Sequence, residues 1–405
     1  MRAERRSAHG RAKRRSALGI ACGGLFALAA AMGMGRFAYT PILPFMEDAL
    51  GLSKAEGGFI ASANFLGYLL GALGAAKAAL PGGRRGWFLL ALAASAVTTG
   101  AMGISSSMSV LLLLRFAGGV ASAFVLVFSS ALVLERLAAA GRPGLSALHF
   151  GGVGVGIAAS AVMVAGLAAS GHDWRMLWLA GGIFSVFALG FAYALVPPDE
   201  PPPGGAASAA ADTRVDRRLV AMIVAYGLFG FGYVITATFI STMVRMTPAI
   251  AAIESTVWLV VGLTGVPSVA LWTWVGRRYG NDRSFALACF IEGIGVAMSV
   301  LATGALAVLV SAALLGGTFM GVTALGLVHV RDLTPGDPRR AIGLMTASFG
   351  LGQMIGPTFA GLAYGIGDSF LVPSLVAAAA LVVAAGLVAG PVTWRPRRTR
   401  GSRPG

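Results

Sequence analysis

Twelve stretches of about twenty mostly apolar residues follow one another along the chain, and this succession constrains the fold more than any other feature. A helix rising about 1.5 Å per residue needs about twenty residues to cross a hydrocarbon core of about 30 Å, so each stretch reads as a membrane-spanning helix. They lie at 18–45, 55–79, 87–105, 109–136, 144–169 and 175–196, then at 219–243, 254–275, 284–303, 306–330, 341–365 and 370–393. Of the 405 residues, 57% are hydrophobic and 12% charged, against roughly 25% charged in an ordinary soluble domain. That balance excludes a soluble globular enzyme. The expected class is an all-α integral membrane protein surrounded by lipid.

The net charge of +15 would point to nucleic acid if it were gathered on one folded surface. It is instead distributed between the apolar stretches. With the N-terminus in the cytoplasm, 26 of the 31 Lys and Arg fall in inner segments, Lys54, Arg175 and Arg245 in outer loops, and Arg36 and Arg115 inside spans. This bias places both termini in the cytoplasm of a multi-pass protein of the inner or plasma membrane. It also removes nucleic acid as a partner. The basic segment 1–17 precedes an apolar run that continues to residue 45, too long for the core of a cleaved signal, so the first helix is expected to stay attached.

Residues 197–218, with Pro201-Pro202-Pro203 and Gly204-Gly205, have the composition of a flexible linker and divide the spans six and six. The two halves match each other at a nearly constant offset. At 197 residues Gly33-Met34-Gly35-Arg36 lies over Gly230-Phe231-Gly232-Tyr233; at 198 Glu56 meets Glu254 and Gly118-Gly119 meets Gly316-Gly317; at 199 Phe150-Gly151 meets Phe349-Gly350. Ordered matches of this kind mark an internal duplication. The expected organisation is a cytoplasmic segment 1–17, a six-helix bundle 18–196, a cytoplasmic linker 197–218, a second parallel six-helix bundle 219–393 and a basic cytoplasmic tail 394–405. Two such bundles can rock about a site near the midplane.

Several motifs carry a resemblance. Gly276-Arg277-Arg278-Tyr279-Gly280 is similar to a basic inner-loop motif, with Arg277 where Asp is usual, and Gly74 to Arg85 is a more degenerate copy. Arg115-Phe116-Ala117-Gly118-Gly119, Gly151-Gly152-Val153-Gly154 and Gly350-Leu351-Gly352-Gln353-Met354-Ile355-Gly356-Pro357 look like the Arg-x-x-x-Gly and Gly-rich gating-helix patterns of spans four, five and eleven. Together these resemble the major facilitator superfamily over essentially the whole chain. Met34-Gly35-Arg36-Phe37-Ala38-Tyr39-Thr40-Pro41-Ile42-Leu43-Pro44 resembles the signature of its YbfB/YjiJ-like branch. The resemblance implies a secondary transporter working by alternating access, coupled to protons, with spans one, four, seven and ten lining a central cavity.

Arg36 and Arg115 are the costly residues, because an Arg near mid-bilayer costs at least about 2.5 kcal/mol and must face a cavity or a partner. They sit roughly 13 Å and roughly 9 Å inside the outer ends of their spans. If both face the cavity the resemblance implies, they favour an anionic organic solute, which guanidinium groups fork bidentately, with Tyr39 and Tyr233 adding hydroxyls and aromatic walls. The competing reading is that each Arg pairs with helix carbonyls or a distant acid and locks helices together. Gly33, Gly35, Gly119, Gly151, Gly154 and Gly356, with Pro41, Pro44 and Pro357, suit close and adjustable helix packing in lipid; Gln353 and Asn64 suit interhelical hydrogen bonds; Arg277 and Arg278 suit a loop clamp.

Three acids are candidates for proton coupling. Glu292 lies mid-span in helix nine, whereas Glu56 and Glu254 fall at equivalent helix starts, where capping is the alternative. Cys22 and Cys289, and His149, His172 and His329, are mutually remote, so no metal, cofactor or disulfide is expected. No nucleotide loop, nucleophile elbow or other catalytic motif appears, so the expected activity is not enzymatic. The expected protein is a monomer whose partners are a small solute, lipid and protons. Two rival readings are efflux of amphipathic drug-like compounds and a transporter-like sensor that moves nothing.

Overall fold

The computed structural model describes residues 16–76, 83–198, 216–334 and 338–389. Most of the N-terminal segment 1–17 and of the linker 197–218, together with Lys77 and the tail 394–405, lie outside the described residues. The helices are Ser16–Leu50 (α1), Lys54–Ala75 (α2), Arg84–Ala101 (α3), Met108–Ala139 (α4), Ser146–Ala169 (α5) and Trp174–Leu195 (α6). They continue with Arg217–Arg245 (α7), Glu254–Tyr279 (α8), Asn281–Leu301 (α9), Ala305–Leu333 (α10), Arg339–Gly367 (α11) and Leu371–Ala389 (α12). Each expected apolar stretch falls within a few residues of one of them, and no strand occurs among the described residues.

Ten of these helices are long and apolar enough to cross a membrane. Helices α3 and α11 are the two outside that set. Arg84 and Arg85 open the short α3, and α11 is rich in Gly, Ser, Thr and Pro, which lowers the mean hydropathy of both.

Short turns carry the helix-end chemistry the sequence supplies. Gly51 takes a left-handed conformation after α1, Ser53 and Glu56 form a reciprocal capping box at the start of α2, and Asp173 and Asp216 cap α6 and α7.

The packing repeats with a shift of six helices. Helix α2 packs on α4, α3 on α4 and α6, and α1 on α5 and α6; likewise α8 packs on α10, α9 on α10 and α12, and α7 on α11 and α12. Helices α2 with α11, α5 with α8, and α1 with α7 join the two sets. Where α1 meets α7, some contacts link residues one repeat offset apart. The Thr40 hydroxyl donates to the Ala237 carbonyl across 197 residues (2.6 Å), and Arg245 pairs with Asp48 across the same 197 (3.1 Å).

Close approach is bought with small residues. A Cβ on Gly33 would fall on the backbone of Gly156, so α1 and α5 touch main chain to main chain; that is the packing lipid-embedded helices favour when no aqueous drive holds them together.

Candidate functional site

Helix α1 carries the site because it is not a regular helix. Residues Ala29–Phe37 are wound as a π-helix, and Pro44 lies inside the α-helical segment Tyr39–Leu50 that follows. Pro41 has no N–H to return to the Phe37 carbonyl, so the backbone cannot close regularly there, and wider winding of this kind recurs at functional positions. Gly35 lies against Ser95 of α3 in this stretch.

The two buried arginines meet this segment differently. Arg115 of α4 donates from Nη1 to the Gly35 carbonyl (2.9 Å) and from Nη2 to the Arg36 carbonyl (3.2 Å), and its guanidinium lies 4.7 Å from the Tyr39 ring centre. Arg36 points into aromatic surroundings: its Cζ is 4.3 Å from the ring centre of Tyr68, 4.6 Å from Phe65 and 5.4 Å from Phe37. Its Nε and Nη2 are buried without a hydrogen-bond partner. These two nitrogens share one edge of the guanidinium, the edge that offers parallel N–H groups to a carboxylate or phosphate. Two nitrogens of Arg115 thus hold α1 while its Nε is buried without a partner, and Arg36 leaves one whole edge of its guanidinium unpartnered.

Two small gaps lie side by side at the centre, each of about 10 Å³, the lower limit for a single water. The first is cationic, lined by Arg36, Arg115, Tyr39, Thr40, Phe65 and Thr238 among others. The second is aromatic and apolar, with Tyr233, Trp258, Phe319, Ile157 and Leu315 in its wall. Phe37 and Ala237 line both and so partition them. The structure brings Arg36, Arg115 and Tyr39 together in the first gap and sets Tyr233 in the second. The Tyr39 hydroxyl donates to the Gly57 carbonyl (2.8 Å), and the Tyr233 hydroxyl receives the Gln353 amide. Tyr233 stacks on Phe229 (5.1 Å) and Phe319 (5.9 Å).

The remaining candidates are packing residues or lie elsewhere. Gly119 backs onto Asn64, whose amide donates to the Arg115 carbonyl (2.9 Å). Gly151 and Gly154 of α5 face Val266 of α8; Gly356 of α11 faces Val234 and Phe231 of α7, and the backbone of Pro357 faces Gly58 of α2. Arg277 and Arg278 are exposed. In the same region Asn281 holds Asp332 (2.8 Å), while at the start of α3 Arg84 grips Glu135 (2.8 Å) and Arg85 the Val196 carbonyl (2.9 Å).

Of the three acids, Glu56 is a half-buried capping residue and Glu254 is held bidentately by Arg245 (2.7 and 2.9 Å). Glu292 is fully buried on α9, and both its oxygens lack a hydrogen-bond partner.

Sequence reasoning passed over a charged cluster at the α1–α2 end. Arg245 also reaches Asp48 (3.1 Å) and lies 3.9 Å from the Phe45 ring centre, and Glu47 accepts from Lys54 (2.8 Å) and Thr242 (3.2 Å). The cluster ties α1 and α2 to α7 and α8. Its signal was present, since Asp48 and Arg245 stand at the 197-residue offset of the Gly33 and Gly230 motifs.

The model of the family described as "Uncharacterised MFS-type transporter YbfB" matches residues 28–389. The chain belongs to this family. It is thus a membrane transporter of the major facilitator superfamily type. A curated relative, "Uncharacterized MFS-type transporter YceJ" of Bacillus subtilis (strain 168), is 35% identical over 100 residues, 25% of this chain. The match spans 26% of that relative's length. Among solved structures, a point mutant of the nucleoside transporter NupG superposes with a TM-score of 0.72 at 16% identity, covering 92% of this chain and 98% of that one. NupG without the mutation gives 0.66 at the same identity and coverage. At such identity these likenesses speak for the fold.

Proposed function

We propose that this family member is a secondary transporter that carries a small organic anion across the inner or plasma membrane by alternating access. The observation that carries the reading is the unpaired Nε and Nη2 edge of buried Arg36 beside a central gap. An unpartnered buried charge is costly and is kept where a ligand completes it. The nucleoside named for NupG is not carried over, because a free guanidinium edge suits an anion.

In this reading the moving parts are two parallel six-helix repeats, 18–196 and 219–393, joined by the linker 197–218, with both termini in the cytoplasm. The six-helix shift in packing and the repeat-offset contacts between α1 and α7 support it. The positive-inside bias makes the α1–α2 end the outer end, so the cluster around Arg245 closes the outside and the solute enters or leaves through the opposite face. Proton coupling, through Glu292, completes the proposal.

The test is flux in liposomes. Purified protein reconstituted with a mixture of radiolabelled organic acids is expected to accumulate at least one of them, faster with a pH gradient and not at all after Arg36→Gln. Saturable binding with no flux would replace this reading with the sensor; flux of a neutral or cationic amphiphile that ignores Arg36→Gln would replace it with drug efflux.

A further inference from the structure

The anion-binding reading leaves open what else the solute carries, and the second gap bears on this. Arg36 lies against rings, with Phe65 at 4.6 Å and Tyr68 at 4.3 Å, and its Nε and Nη2 edge stays without a partner as the place for an anion. Beyond Phe37 the wall changes character. Phe319 and Tyr233 lie within 20° of parallel at 5.9 Å, and Tyr233 lies within 10° of parallel to Phe349 at 6.1 Å. Trp258, its indole N–H donated to Ser160 (3.2 Å), closes another side of that gap. Phe37 stands between the two gaps, 5.4 Å from the Arg36 guanidinium and edge-on to Phe319 at 5.9 Å.

Resting on the anionic-solute reading, we infer that the solute is a carboxylate attached to a flat unsaturated ring. Its carboxylate takes the open edge of Arg36, and its ring enters the aromatic gap when Phe37 rotates aside. Neither gap alone has volume for an organic molecule, and Phe37 is the one large side chain that lines both. A flat ring gains from offset or edge contacts with Phe319, Tyr233 and Trp258 that a saturated chain cannot make. A solute with only a charge makes none of the ring contacts; a solute with only a ring leaves the guanidinium edge without a partner.

The experiment is equilibrium binding of radiolabelled benzoate to the purified full chain in nanodiscs, with acetate and benzyl alcohol as competitors. Acetate has the charge without the ring, and benzyl alcohol the ring without the charge. Benzoate is expected to bind saturably and to be displaced about tenfold less well by either competitor, since one lost anchor of about 1.4 kcal/mol is a factor of ten. Arg36→Gln should abolish binding with an unchanged melting temperature. Phe319→Leu should weaken benzoate several-fold and leave acetate unchanged, narrowing the gap between them. Acetate competing as well as benzoate in the wild-type chain overturns the ring requirement and leaves the anion reading standing. Benzyl alcohol competing as well as benzoate, with Arg36→Gln silent, overturns both. Absence of saturable benzoate binding overturns the ring inference, and direct binding of radiolabelled acetate in the same preparation then decides whether the anion reading survives.

Discussion

Arg115 Nη1 lies 2.9 Å from the carbonyl oxygen of Gly35, and Nη2 lies 3.2 Å from that of Arg36, so a side chain on α4 completes backbone that α1 leaves open. Charged hydrogen bonds of this kind contribute about 1.5–3 kcal/mol each, and glutamine can replace at most one of the two. Arg115→Gln is therefore expected to destabilise the protein by about 2–4 kcal/mol. Arg36→Gln trades a buried charge with one unpartnered edge against its ring contacts to Phe65 and Tyr68, and is expected to leave the melting temperature unchanged. Thermal unfolding in detergent compares them; equal losses in the two variants would contradict the division of roles.

Gly33 and Gly156 meet backbone to backbone, and no flexible side chain stands between them to yield. Adding a methyl group forces α1 away from α5 and shifts the π-wound segment beside it. Gly33→Ala is expected to cost about 1–3 kcal/mol and to weaken anion binding along with stability. Gly166 on the same α5, whose Cβ position is open, serves as the control: Gly166→Ala should leave both unchanged. A silent Gly33→Ala in melting and binding assays would show that the contact is slack.

The spans and the six-helix shift in packing left patterns in residue types. Lipid demands long apolar runs, and a repeated half keeps its glycines at a constant offset. The different duties of Arg36 and Arg115 were not legible, since both are arginines at comparable depth. What separates them is the π-winding of Ala29–Phe37, which orients two carbonyls toward α4 and has no stronger sequence signal than Gly33, Gly35 and Pro41. The cage of Phe65 and Tyr68 was hidden for another reason. Two aromatics three apart on α2 look like any helix face in lipid until a charge from α1 lies against them. In sequence Glu47 and Asp48 are indistinguishable from a solvated helix end; only their partners on α2 and α7 make them a cross-link.

That cross-link leads to a prediction about conformation. The Arg245 side chain is 25% exposed and the Glu254 side chain 17%, so the pair is partly shielded and contributes about 1–2 kcal/mol after screening. That pair joins α7 to α8; the contact that reaches α1 is the Arg245–Asp48 bridge, whose Asp48 side chain is 73% exposed, so it contributes at most about 1 kcal/mol. Arg245→Gln is expected to shift the population toward the form open at the α1–α2 end by up to about fivefold. A cysteine placed at Thr238, in the wall of the cationic gap, reports the shift through its rate of labelling by a membrane-impermeant maleimide. An unchanged rate would mean that other contacts, such as Thr40 to the Ala237 carbonyl, hold the closure.

Glu292 supplies the last prediction. Its two oxygens are buried with no hydrogen-bond partner, with the Cys289 thiol on the same helix, Thr318 on α10 and the Tyr233 hydroxyl on α7 as its polar surroundings. An ionised carboxylate without a partner is costly to bury, so any conformation that hydrates α9 at this point must change how readily the group holds a proton. This is the linkage a proton-coupled carrier needs. Glutamine matches the protonated side chain in shape, so Glu292→Gln is expected to keep the melting temperature within about 1 kcal/mol of stability and to retain downhill flux. Stimulation of flux by an imposed pH gradient should disappear. Gradient-driven accumulation persisting in Glu292→Gln liposomes would assign the proton to another group.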